Sequence, residues 1–140
     1  MSMAESKMPA SLASLIERIE AATGPDRRLD ALIDCAIRFP DLRPARPDDH
    51  EKHHRGFPPG QGDIWCPTGF LMARSYTRSV DDVLTLLPDG LEFEFTNLYG
   101  VAAVGIGLNT ESPCYARRED GNITLALLAA ILRARQTEGR

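Results

Sequence analysis

The chain has little cysteine, no CxxC pair, no long apolar run and no excess of basic charge. Each absence removes a class of protein. Cys35, Cys66 and Cys114 stand far apart, and three is an odd number. Secreted disulfide scaffolds use dense, even sets, so thiols kept reduced in a cytosol are expected. The opening MSMAESKMPASLASL lacks the apolar core of a secretion signal. No apolar stretch reaches the roughly 18 residues of a membrane span, and the most apolar one, Ile123 to Leu132, is too short. With 16 basic against 20 acidic residues the net charge is -4, whereas a general nucleic-acid binder gathers Lys and Arg on one face. There is no internal repeat and no low-complexity tract. A cytoplasmic protein that neither enters a membrane nor binds nucleic acid generally is the expectation.

What is present suits one domain: 140 residues, 43% of them apolar, enough for a core. Leu12, Leu15, Ile16 and Ile19 recur at helical spacing, which predicts a helix from Ala10 or Ser11 to Ala22, stopped by Gly24-Pro25. Leu29, Leu32, Ile33, Ala36 and Ile37 predict a second helix ending near Arg38, so the two read as a helical hairpin. From residue 40 to 62, five prolines and three glycines break every apolar period, as in a long loop. Asp63 to Cys66 reads as a short strand that Pro67 places at an edge or an end, and Gly69 to Ala73 as a further strand or a bend. Thr77 or Ser79, the latter with Asp82 three residues on, can cap a short helix whose apolar face is Val80, Val83, Leu84 and Leu87. LEFEF then alternates, with Leu91, Phe93 and Phe95 toward a core and Glu92 and Glu94 toward water. Val101 to Leu108 and Cys114 to Arg117 complete a three-stranded meander. A last helix, about Asn122 to Gln136, is apolar nearly all round and should be buried on most sides, flanked by the first two. The fold class is α/β in the α+β sense: a small three- to four-stranded antiparallel sheet layered with about four helices.

Three segments in order resemble a family. They are Ala21-Ala22-Thr23-Gly24-Pro25-Asp26-Arg27-Arg28-Leu29-Asp30 after the first helix, the middle stretch from Tyr76 to Gly90, and the closing Leu132-Arg133-Ala134-Arg135. Together they make the chain similar to the phage ABA-sandwich family, small proteins of alphaproteobacterial phages and prophages. Leu91 stands where that pattern has an aromatic residue, and the 40–62 loop has no counterpart in it. The resemblance implies a helix–sheet–helix layering, a phage origin and a site of action in the bacterial host. It implies no catalysis.

All three histidines fall in one stretch, DDHEKHHRG, from Asp48 to Gly56. His50, Glu51 and His54 match the HExxH pattern, in which two histidines one helical turn apart hold zinc and the glutamate serves as base. That chemistry needs a core-anchored helix, and this stretch has proline on both sides and no apolar period. A polar connector is therefore the first reading, and a zinc enzyme using His50 and His54 the alternative. A nucleophilic pairing of Cys66 with the loop has no local motif behind it. Ser75, Tyr76, Thr77, Ser79, Asp81 and Asp82 form a polar cluster that helix capping explains, with Tyr76 as a half-buried anchor. Gly105-x-Gly107 lies inside a strand and is no phosphate loop. Arg27 with Arg28, Arg117 with Arg118, and Arg133 with Arg135 could gather on one side, but read as solvated or helix-end charges. No catalytic constellation converges. The function expected is that of a phage-encoded accessory protein that binds another protein. Its surface would draw on Asp48, Asp49, Glu51, His53, Glu92 and Glu94. An inhibitor of a host defence system such as CRISPR fits an acidic phage product, because such effectors carry positive nucleic-acid channels. A self-assembling component, a homodimer joined through Phe57 and Trp65, is the third reading.

Overall fold

A computed structural model describes residues 11–49 and 58–138, and ten regular elements lie wholly among them. They are α1 (Leu12–Ala21), α2 (Arg27–Ile37), β1 (Arg43–Pro44), β2 (Asp63–Cys66), β3 (Gly69–Met72), α3 (Val80–Leu84), β4 (Phe93–Leu98), β5 (Val101–Ile106), β6 (Cys114–Arg118) and α4 (Ile123–Glu138). The strands make two antiparallel sheets of three, ordered β1-β2-β3 and β4-β5-β6, so the class is α+β. The described chain divides into two compact units, one of 27–74 and the other of 12–26 with 75–138. The helices expected to pair as a hairpin are divided between them.

In the first unit α2 packs on β1 and β2. Its buried apolar residues are Leu29, Ala31, Ile33, Cys35, Ala45, Ile64 and Ala73, of which Ala31, Cys35, Ile64 and Ala73 form one cluster with Phe39 and Leu42 against it. The buried side of α2 also takes in two carboxylates, Asp30 and Asp34, both fully buried, while Leu32, Ala36 and Ile37 are only partly covered. Buried charges need partners, and these have them. Arg27 bonds Asp30 at 2.8 Å and the Ala73 carbonyl at 2.8 Å, and Asp34 accepts from the Arg74 amide at 3.1 Å. The Arg27 guanidinium lies against Gly62, where any Cβ would collide with it. Arg27 is therefore a brace of this unit and not a solvated charge.

The 40–62 segment holds a strand that periodicity missed. β1 is two residues long, too short to show alternation, and pairs Arg43 with Trp65 and Pro44 with Ile64. Pro44 is tolerated because β1 is an edge. β2 is thus the central strand, and Pro67 marks its end, in the two-residue turn before β3. Trp65 is half-buried, with the Arg43 guanidinium 4.9 Å over its ring. It is not the exposed contact residue expected, and Phe57 lies outside the described residues.

In the second unit α4 lies on β5 and β6, with α1 and the short α3 against it. The expected burial of α4 on most sides holds: every residue from Leu125 to Leu132 is buried. Each large side chain among them contributes about 2 kcal/mol by leaving water. Asn122 caps the helix, its Oδ1 accepting from the Leu125 amide at 3.0 Å. Ser79 caps α3 as expected, accepting from the Asp82 amide at 3.2 Å. Asp82 does not reach back to the Ser79 amide as in a closed capping box; its carboxylate takes the Ser75 amide at 2.8 Å. Tyr76 is fully buried rather than half-buried, and Thr77 Oγ1 accepts from the Asp26 amide at 2.7 Å.

Arg118 is a helix-end charge, one of the two readings its sequence allowed. It reaches the last turn of α1, donating to the carbonyls of Ile19 at 3.0 Å and Ala22 at 2.6 Å. The Ile19 carbonyl also takes the Ala22 amide at 3.1 Å, and a cation at the end of a helix is favoured by its dipole. Arg135 likewise bonds the Leu86 carbonyl at 2.7 Å.

Candidate functional site

The two faces of the β4-β5-β6 sheet have different fates. Cross-strand partners share a face. Ile106 with Phe93 and Cys114, Val104 with Phe95 and Ala116, and Ala102 with Asn97 and Arg118 point toward the helices. On that side Ala102, Val104 and Ile106 are buried. The opposite face carries Glu94, Gly105 and Tyr115 in one row and Thr96, Ala103 and Arg117 in the next. All of these except Gly105 are exposed.

Gly105 is buried because the Tyr115 ring lies over it; a Cβ there would come within 3.2 Å of the ring and 3.0 Å of Leu108. The glycine thus leaves room for an aromatic ring against the sheet. The outcome is a shallow depression of about 450 Å³ in which Ala103, Gly105, Leu108 and Tyr115 meet, with Glu94 and Arg117 among its charged lining. Tyr115 is 61% exposed and Leu98, at the end of β4, 63%. Aromatic and arginine side chains around an apolar centre are the composition of protein-binding surfaces.

A second depression, about 340 Å³, lies beside Glu20, Arg118, Asp120 and Arg133. Its charges are already paired: Arg133 with Glu20, and Arg118 with Asp120 at 2.7 Å. The Asp120 carboxyl is held down to about 2, from an ordinary 3.8, by the hydrogen bond from Arg118 and then by the Asn122 amide. These groups hold the fold and leave little for a ligand.

The residues singled out from sequence have separate fates. Glu92 and Glu94 are exposed, Glu94 on the open face. Asp48, in the first unit, is exposed as well. Asp49 is fully buried: it accepts both Arg43 Nη1 and Nη2 at 2.9 Å and the Arg46 amide at 2.7 Å. That bidentate pair raises the Arg43 guanidinium further above its ordinary range. Asp49 is therefore a structural anchor and is not presented to a partner. His50, Glu51, His53 and His54 lie outside the described residues. Among the described residues, no three His, Cys, Asp or Glu side chains come together as metal ligands would. Cys35 is buried and its thiol is pushed up to about 11, first by burial and then by Asp34, which makes it a poor nucleophile.

Sequence reasoning missed Tyr115, Leu108 and Ala103. A signal existed: the glycine of β5 opposite an aromatic in the next strand. It becomes readable only once the register pairs them.

No helix among the described residues is long and apolar enough to cross a membrane. The chain matches no protein-family model, no curated protein and no solved structure.

Proposed function

We propose that this chain acts without catalysis, by binding another protein through the open face of the β4-β5-β6 sheet. The observation that carries the reading is the exposed Tyr115, laid over Gly105 beside Ala103 and Leu108, with Glu94 and Arg117 nearby. A large aromatic side chain packed against its own scaffold loses little entropy on docking. The likeness to phage ABA-sandwich proteins makes the partner a protein of the bacterial host. The net charge of -4, with Glu92 and Glu94 exposed, makes a positively charged surface the natural match. A defence effector such as a CRISPR nuclease has such a surface in its nucleic-acid channel, so inhibition of host defence is the role proposed.

The test is capture from infected host cells with the purified chain, alongside Tyr115→Ala and Ala103→Glu variants. A specific host protein should be retained by the native chain. Loss of a central tyrosine should weaken binding by about 2 kcal/mol, roughly 30-fold. Equal retention by all three would remove the open face from the proposal, and capture of nothing specific would overturn the binding role.

A further inference from the structure

The two edges of the β4-β5-β6 sheet are treated differently. In an antiparallel ladder, alternate residues turn their backbone N–H and C=O toward one neighbour or the other. The β4–β5 ladder is anchored by the bond from the Gly107 amide to the Glu92 carbonyl at 2.6 Å. Its turn, Tyr99-Gly100, has positive φ at both residues (54° and 78°), the two-residue hairpin geometry whose flanking pair is hydrogen-bonded. Both observations give the same phase. Glu94, Thr96 and Leu98 bond to β5, while Phe93, Phe95 and Asn97 turn their backbone groups outward. By the same alternation Tyr115 and Arg117 face outward on β6. The β6 edge is occupied: Arg133 Nη1 donates to the Tyr115 carbonyl at 2.6 Å, and Arg133 is itself paired with Glu20. The β4 edge has no such cover among the described residues. No proline or lysine interrupts it, and its one charge is Glu94.

An open edge with so little charge is a template for another strand. We infer that a second copy of this chain occupies it, with β4 pairing antiparallel to β4 of the copy about a two-fold axis at Phe95. In this register Phe95 faces Phe95, and Phe93 faces Asn97 of the copy. All three outward residues on each strand then exchange both backbone bonds. Glu94 falls opposite Thr96, so the two carboxylates do not oppose each other. Moving the axis to Glu94 would set Glu94 against Glu94, and moving it to Thr96 would leave Phe93 without a partner in the strand.

Packing supports the same register. α4 lies over β5 and β6 and touches β4 little. Phe95 therefore remains 49% exposed on the helix side, its ring stacked on Phe93 at 6.3 Å between centroids. The second copy would bring the same ring pair beside it, and cross-strand aromatic pairs stabilise sheets. Because the two-fold axis stands normal to the sheet, both open faces fall on one side of a six-stranded sheet. The inference does not depend on the binding role proposed above.

Sedimentation equilibrium of the full chain tests it, read against Thr96→Glu, Thr96→Lys and Phe95→Pro. The native chain should show twice its 15.4 kDa mass at high concentration. Thr96→Glu sets two carboxylate pairs in opposition and should weaken dimerisation at least tenfold; Thr96→Lys creates two ion pairs and should tighten it. Phe95→Pro removes an amide that β5 does not use, so it should be monomeric with its hairpin intact. Amide exchange on the native dimer covers the case in which a variant fails to fold. There the Phe93, Phe95 and Asn97 amides should be protected, and increasingly so with concentration. A monomeric native chain, a dimer unmoved by the Thr96 charges, or unprotected amides at these three positions would each overturn the inference.

Discussion

Asp120 is exposed, yet the fold favours its charge for a physical reason: its carboxylate holds Arg118, and Arg118 holds the end of α1. The group titrates near 2 in the fold against an ordinary 3.8. A carboxyl depressed by folding adds stability that is fully present above 3.8 and is lost as the pH falls toward 2. The melting temperature of the native chain should therefore exceed that of Asp120→Asn at neutral pH, and the gap should close across that window. Calorimetry of both proteins from neutral pH to below 2 checks it; a gap independent of pH would mean that the charge contributes nothing. At this scale the sequence was a poor guide to arginine and aspartate. Arg27 read as a solvated or helix-end charge and Asp49 as part of a binding surface, but each is fixed by a partner far along the chain or by a backbone amide. Charge type says nothing of such partners.

At the scale of elements, local signals did better. The cap at Ser79 and the alternation at the start of β4 are each written in a few adjacent residues. α3 is only five residues long, so its cap should matter. Ser79→Ala should lower the stability of the second unit by about 1 kcal/mol, and Ser79→Gly by only a few tenths. Denaturant midpoints of the two variants distinguish the cap from a general loss of the side chain. β4 shows where a local signal overreaches. Alternation put Phe95 on the core side, which is its side, but the core stops short of it because α4 covers the neighbouring strands. β1 shows the opposite failure, a strand defined only by its pairing with β2.

For the molecule as a whole, the two units differ in what holds them. The first has a cluster of four buried residues, Ala31, Cys35, Ile64 and Ala73, with Leu29, Ile33 and Ala45 also buried, and a set of ion pairs and backbone bonds beside them. The second has the fully apolar α4 against a sheet and α1. Apolar area removed from water is the dominant favourable term, so the second unit should be the more resistant to opening. Hydrogen exchange should show the β2 and β3 amides exchanging faster than those of β5 and α4. Equal protection would mean that the units open together.

The order of elements, the capped helices, the meander and the buried last helix follow from short-range patterns, because period, caps and turns act over a few residues. So does the want of any basic field or membrane-length run, since these are sums over the chain. The open face centred on Tyr115, the free edge of β4 and the burial of Asp49 depend on which strand lies beside which and on how far α4 reaches. Those are long-range pairings, and only the folded arrangement brings together residues that the sequence keeps apart.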